Sequence, residues 1–430
     1  MVRSLFDGGP RCAAALVLVS AAAAQTPHPL TLDDCIRMAL AAPSAVTLAR
    51  QEAAIASAGV GMARAGLLPQ ARIGSGLVYN SPSPTAPDQF SFIALNAFRE
   101  YTAQFMASEE FDTSGRLRAA LARARADREA TAAGLAVTTR DLRRAVTTAY
   151  YQLLLARRLV QVNRDSLEEA RDFEKRTRLL SQNGEAAEAD VVKAAAQVAF
   201  LDQSQRAAEL DAAVAAHQLA SFWTESAGDA LDIEDVLDRP APPPEEAPAA
   251  AGEPFLKRPE FLALDAQRRG FLADARQARA QLLPQLSATF EYGIDAERVS
   301  IRERGYAAFV NLNIPVWDWF RARDDERRSR LRANEAATNR AIAARTFSKE
   351  YQDALARVRS IYEQIALTAS QVDLSERNLK LSRLRYEGGE GPALDVVAAV
   401  AQLTQARANH FAAIAAYWNG RADLEVASGK

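Results

Sequence analysis

The sequence predicts a mostly α-helical chain built from two internal repeats, each interrupted by a hairpin of membrane β-strands. Three observations carry that expectation: a phrase duplicated half a chain apart, long proline-free helical stretches, and four runs in which apolar and polar residues alternate. The phrase "ARAGLLPQ" (Ala63 to Gln70) returns as "ARAQLLPQ" (Ala278 to Gln285), with seven of eight positions identical and an offset of 215 residues. A second pair, "RLLSQNGEAAEADVVKAAAQ" (Arg178 to Gln197) and "RLRYEGGEGPALDVVAAVAQ" (Arg383 to Gln402), shares ten of twenty positions at an offset of 205. The drift comes from a first hairpin loop about ten residues longer than the second. A unit of roughly 200 residues is too long for a solenoid repeat, so the duplication implies pseudo-symmetry within one assembly.

The expected organisation is a signal segment over 1–24, a first repeat over 25–238, a Pro/Ala-rich linker over 239–254 and a second repeat over 255–430. The signal rests on Arg3 and Arg11, the short apolar run Cys12 to Ala24, and small residues before Gln25. No cysteine follows that junction directly, which argues against a lipid anchor. Cys35 is then the sole remaining cysteine and is expected as a buried thiol. The linker "RPAPPPEEAPAAAGEP" is too rich in proline to hold a helix.

Each repeat reads helix, strand, strand, helix, helix. In the first, a helix opens near Thr31 and Asp33 and runs to about Gly66. A long helix follows over about 115–182, then a turn at Asn183-Gly184 and a helix over about 186–223. In the second, the helices run over about 259–283, 321–387 and 393–427, with a turn at "GGEGP" from Gly388. A helix of about 67 residues spans about 100 Å, and two shorter helices stacked end to end match that length. Such rods must bury a face against neighbours to be stable.

The strands are expected at about 70–80, 100–111, 285–295 and 305–316. Tyr101 and Phe105, Phe290 and Tyr292, and Val310 and Leu312 fall on the apolar faces of their runs and are expected to face lipid. Four strands cannot close a barrel, for which eight is the usual minimum. The barrel is therefore shared between chains, as a dimer of eight strands or a trimer of twelve.

Composition excludes several classes. Apolar residues make up 49% and charged residues 25%, so the chain is not disordered; a net charge of −2 gives no case for nucleic-acid binding. Alanine-rich, aromatic-poor helices suit close side-by-side packing. His28, His217 and His410 are scattered and no metal or hydrolase motif is present, so neither catalysis nor a cofactor is expected. Trp317 and Trp319 suit an interfacial aromatic belt or a plain apolar role, and "RARDDERRSR" (Arg321 to Arg330) suits a solvated helix face.

"LTLDDCIRMAL", "LLPQ" before both hairpins, "FDTSGR" (Phe111 to Arg116), "KRPEF" (Lys257 to Phe261) and "RYEGGEGPALDVVAAVAQL" (Arg385 to Leu403) occur in that order. Through them the chain resembles the TolC-type outer-membrane efflux protein family over nearly its whole length after the signal. The resemblance implies a homotrimer: a long coiled-coil barrel of helices in the periplasm, continuous with a twelve-stranded barrel in outer-membrane lipid. It implies a non-enzymatic exit duct joined through a periplasmic adaptor to an inner-membrane pump of RND, ABC or MFS type. The helix–helix turns would form the periplasmic aperture and meet the adaptor, through Asn183, Gly184 and Glu185 and through Gly388, Gly389 and Glu390. Asp395 would line the aperture, with Asp190 as its first-repeat counterpart and Tyr386 helping to hold the end shut. The family's arginine falls on Gly391 and its second aspartate on Ala398, so that part of the closure is missing. Both aspartates also suit the positive end of a helix dipole. A periplasmic coiled-coil adaptor or scaffold is the rival reading; it leaves the two hairpins unexplained.

Overall fold

The computed structural model describes residues 29–81, 84–85, 98–226, 228, 231–244 and 253–429. The expected signal segment and the linker's centre, 245–252, lie outside them. Seven helices are described: α1 (Leu32–Ala41), α2 (Ala45–Ala65), α3 (Arg116–Gln182), α4 (Glu188–Ala220), α5 (Pro259–Ala280), α6 (Arg321–Glu387) and α7 (Ala393–Ala427). Four strands form one antiparallel sheet in chain order: β1 (Gln70–Tyr79), β2 (Arg99–Phe111), β3 (Gln285–Ala296) and β4 (Arg304–Asn313).

The first helix departs from the expected single element. Thr31 caps α1 through a reciprocal capping box with Asp34. The helix then stops, because Ala42 precedes Pro43 and takes an extended conformation, φ −71° and ψ 157°. β4 ends at Asn313, short of residue 316, because Pro315 has no N–H to give the ladder. The helix after the first turn ends at Ala220, and Ser221 to Trp223 form a turn instead of its last residues.

Alanine explains how the rods pack. The buried residues recur every seventh position: Ala119, Ala126 and Ala133 in α3; Ala194, Leu201 and Ala208 in α4; Ala266, Ala273 and Ala280 in α5; Ala322, Ser329 and Ala336 in α6. A seven-residue repeat keeps one seam facing a neighbour and imposes a left-handed supercoil. Small residues at the seam let axes approach to about 8 Å. α3 packs on α2, α4, α5 and α7, and α6 packs on α5 and α7. Across the wall the order is α2 stacked with α4, then α3, then α5 stacked with α7, then α6.

Larger side chains fill the middle and far end of the wall. Val146, Tyr150, Leu153 and Leu154 of α3 bury against Cys35, Leu219, Ile233 and Ile414. There Leu30 pairs with Ile233 in a parallel bridge, and the Tyr150 hydroxyl donates to the Glu234 carbonyl at 2.7 Å. Burial pushes the Cys35 thiol up to about 11, which keeps it neutral and inert.

A buried ion network ties the repeats together. Arg140 of α3 holds both Glu260 carboxylate oxygens, at 2.8 and 3.1 Å. Arg258 donates to Glu260 at 2.8 Å and to Glu350 of α6 at 2.5 Å, and its guanidinium lies 3.7 Å from the Phe347 ring centre. Burial alone would raise the Glu260 carboxyl, but its hydrogen bonds from Arg140 and Arg258 overcome that and hold it down at about 2.

Two outcomes follow. Glu260→Gln leaves Arg140 and Arg258 without their shared anion and lowers stability by about 3 kcal/mol, read as a lower thermal midpoint in detergent. The folded Glu260 pKa lies below its unfolded value of 4.5. Its contribution is therefore complete above pH 4.5 and is lost as pH falls toward 2, a slope the Gln variant lacks. At Gly293, an added Cβ would stand 2.1 Å from the Ala103 carbonyl oxygen and 2.7 Å from Gln104 Cα. Gly293→Ala therefore disrupts the β2–β3 pairing that joins the repeats, and unheated gels should show loss of the assembled form.

Candidate functional site

The two ends of the molecule carry the candidate sites. At one end, α3–α4 and α6–α7 are joined by turns with the same hydrogen bonds. Gly184 (φ +82°) and Gly389 (φ +73°) occupy the left-handed region. The Glu185 N–H donates to the Leu180 carbonyl and the Glu390 N–H to the Arg385 carbonyl, both at 2.8 Å. Gly184 donates to Ser181 and Gly389 to Tyr386, both at 3.0 Å. This is the Schellman pattern, which requires a residue without a Cβ at the left-handed position. Asn183, Gly184, Glu185, Gly388, Gly389 and Glu390 are all exposed.

Asp190 and Asp395 lie in the first turns of α4 and α7, where the helix dipole favours a carboxylate. Neither caps its helix with its side chain. They differ in company. Asp190 pairs with Lys193 at 3.2 Å. Asp395 is exposed and forms no ion pair among the described residues. Equivalent positions in the repeat thus carry unequal free charge.

Tyr386 is half-buried and meets Phe173 of α3 edge to face, with ring centroids 5.2 Å apart. Its hydroxyl is buried without a hydrogen-bond partner among the described residues. A space of about 40 Å³ adjoins it between Asp172, Arg176 and Arg383. Two ion pairs flank the rings: Arg176 to Glu387 at 2.9 Å, and Arg383 to Glu169. These pairs bridge α3 and α6, one helix from each repeat. The sequence reading missed Glu169, Phe173, Arg176 and Arg383. Its only signal was that Arg383 repeats Arg178, and the partner across the fold is invisible from spacing.

At the other end, register puts the expected lipid-facing residues together. Phe105 lies opposite Tyr292, which lies opposite Tyr306; Tyr101 lies opposite Leu77 and Ala296. Phe290 pairs with Ala107, Val310 with Ala288 and Leu312 with Leu286. Because paired residues point the same way, Tyr101, Phe105, Phe290, Tyr292, Val310 and Leu312 share one face. The opposite face carries Thr102, Gln104, Ser108, Glu291, Thr289 and Asn311, with Val78, Met106, Ala307 and Phe309 as apolar exceptions. β1 and β4 are the sheet's edges, and neither has a second strand partner among the described residues. No helix among the described residues is long and apolar enough to cross a membrane.

Known proteins share this architecture. The family model described as outer membrane efflux protein matches residues 35–225 and 255–430. The pyoverdine export outer membrane protein OpmQ of Pseudomonas aeruginosa is 24% identical over 307 residues, which span 70% of this chain and 64% of that relative. The CmeC outer membrane channel of Campylobacter jejuni superposes with a TM-score of 0.83 at 17% identity, over 93% of this chain and 85% of that one. A membrane protein from Pseudomonas aeruginosa gives 0.83 at 21% identity, over 93% and 92%. These two structures establish the fold. With both repeats matched by the family model, the chain belongs to the outer membrane efflux protein family, bacterial outer-membrane proteins with a periplasmic helical body.

Proposed function

We propose that three copies of this chain close into one duct, through which substrate leaves the periplasm for the exterior. A single observation carries the reading: a four-stranded sheet, apolar across the middle of one face with Arg99, Glu109 and Arg304 toward its ends, mainly polar on the other, and with both edges open, runs directly into a helical wall about 100 Å long. Open edges in lipid leave backbone groups unsatisfied, so the sheet must close on other copies. Members of the family are trimeric channels that work with efflux pumps, which favours twelve strands over eight.

The wall supports the same closure. Leu48, Ile55 and Met62 lie exposed at seven-residue spacing on α2, and Leu367, Leu374 and Leu381 do so on α6. α2 and α6 are the outer flanks of the wall, so each stripe meets the complementary flank of the next copy in a coiled-coil seam. Tyr101, Phe105, Phe290, Tyr292, Val310 and Leu312 then face lipid, and the polar face lines the pore.

At the periplasmic end, the exposed turns at Asn183–Glu185 and Gly388–Glu390 meet an adaptor that links the duct to an inner-membrane pump of RND, ABC or MFS type. Three copies of the unpaired Asp395 form an acidic ring there that concentrates cations. The Phe173–Tyr386 contact and its two flanking ion pairs hold the α6–α7 pair against α3, in place of the absent family arginine and second aspartate. The closed aperture opens when these contacts part.

The reading is tested by fractionation. The protein should stay with outer membranes after high-salt and high-pH washes, dissolve only in detergent, and migrate as a trimer until heated. Extraction by salt as a monomer would favour the adaptor reading. In single-channel recordings, Asp395→Ala should raise the multivalent-cation concentration needed for half-block on the order of ten-fold; unchanged block removes the aperture role. Arg383→Ala should lengthen open dwells, whereas Arg178→Ala, whose Glu174 partner lies on its own helix, should not.

A further inference from the structure

The junction between β4 and α6 is unlike its first-repeat counterpart. After β4 the chain runs Ile314-Pro315-Val316-Trp317-Asp318-Trp319-Phe320 before α6 begins at Arg321. Val316, Trp317, Trp319 and Phe320 are 89, 64, 82 and 56% exposed. Trp317 contacts both Trp319 and Phe320, with ring centroids 5.7 and 5.5 Å apart. The backbone beneath is strained: Trp319 and Phe320 sit at φ 56° and 65°, the only described non-glycine residues in the left-handed region. Bulky side chains rarely adopt that conformation. Asp318 holds it, accepting from the Phe320 N–H at 3.0 Å and the Ala322 N–H at 2.9 Å.

The turn itself does not need aromatic residues. At the β2–α3 junction, Asp112 likewise accepts from two helix-start N–H groups, of Leu117 and Arg118, at 2.9 and 3.1 Å. There the left-handed position is Gly115, at φ +80°, which carries no penalty. Between Asp112 and that glycine stand Thr113 and Ser114, and the ring at this junction is Phe111, 42% exposed. The arginines differ as well. Arg116 is tied to Glu110 and Arg118 to Asp112. In the second repeat Arg321, Arg323 and Arg327 are exposed, and none forms an ion pair among the described residues. The neighbouring Asp325 and Glu326 are taken by Arg328 and Arg330, which leaves Asp324 as the nearby free carboxylate.

We propose that this junction is a membrane foot: Trp317, Trp319 and Phe320 enter the headgroup layer of the leaflet facing the helical body, and Arg321, Arg323 and Arg327 bind anionic phospholipid headgroups. The inference rests on the barrel reading above. Ile314 and Val316 continue the alternation of Leu312, so the foot prolongs the sheet's apolar face where the strands give way to helix. Indole rings with guanidinium groups beside them suit the boundary between acyl chains and phosphates. The next copy of the chain brings the end of α2 to this flank, and its last turns carry Arg64 and no carboxylate, so it offers the three arginines no counter-ion and leaves them to lipid phosphates.

Tryptophan fluorescence of the whole protein, reconstituted in phosphatidylcholine vesicles with or without phosphatidylglycerol, tests the foot. Lipids brominated near the headgroup or at the chain end serve as depth-dependent quenchers. The wild type should be quenched most by the shallow lipid, and more strongly when phosphatidylglycerol carries the bromine. W317F/W319F should lose most of that quenching, because Trp223 and Trp418 lie by the wall's midpoint core. R321Q/R323Q/R327Q should keep the shallow quenching but lose preference for the anionic lipid by about five-fold or more. Quenching unchanged in W317F/W319F, or indifferent to lipid charge in the wild type, overturns the proposal. The same samples are run unheated on gels. A trimer without foot quenching removes the foot and leaves the duct standing; loss of both removes the duct as well.

Discussion

Helix spacing set by small residues every seventh position is the constraint on which the other features depend. A rod of 67 residues such as α3 has no stability of its own in water; it persists because each turn is covered. Ala119, Ala126 and Ala133 let α2 and α5 lie close along its membrane-side half, while Val146, Leu153 and Leu167 take over toward the middle and far end. A neighbour of full length on every side would leave no place for the chain to turn. Stacking α2 with α4 and α5 with α7 solves that, since each long helix is flanked by two shorter ones that meet near the middle. The strap formed by Leu30 and Ile233 closes over that meeting point.

Duplication supplied the symmetry, and the functional candidates lie where the two repeats have diverged. Both helix–helix turns keep the same glycine geometry, yet only Asp395 is left without a counter-ion. Both strand–helix junctions are capped by an aspartate, yet only the second displays a cluster of three aromatic rings and unpaired arginines. The sheet shows the same combination. β2 and β3 come from different repeats and pair with an approach so close that Gly293 has no room for a side chain.

Local chemistry was legible from the sequence. The long helices end within a residue of the expected positions because proline, glycine and paired-glycine turns mark their boundaries locally. The alternation of Phe290, Tyr292, Val310 and Leu312 gave the apolar face, because strand period is also local. Pro43 was visible, but its break was overlooked since the apolar pattern continues past it. The heptad seams were overlooked because alanine looks the same whether buried or exposed. Contacts between repeats were not legible at all: nothing in the spacing pairs Arg383 with Glu169, or Arg140 with Glu260, across more than a hundred residues. The missing arginine at Gly391 and missing aspartate at Ala398 were plain in the sequence, but the α3–α6 contacts proposed to act in their place required the fold.

The two ion networks that bridge the repeats differ in a way that fits different duties. Around Glu260 most of the charge is withdrawn from water: Arg258, Arg140 and Glu260 are 7, 10 and 20% exposed, while Glu350 is wet, at 49%. Breaking such a group leaves an uncompensated buried charge, so it behaves as a permanent fastening. At the proposed aperture, Arg176 and Glu387 are 63 and 48% exposed, and Arg383 and Glu169 are 29 and 42%. Pairs this wet contribute between about 0 and 1 kcal/mol each, because water takes over when they part. An aromatic contact beside them adds about 1 kcal/mol. Three such clusters in the proposed trimer bias the closed state by about 3–9 kcal/mol, a gap that a bound partner with preference for the open form can reverse. A gate held by buried charges would demand far more from the partner that opens it. The exposure of these groups therefore argues for the proposed opening: the wall is fastened where it must never part and only lightly held where it must.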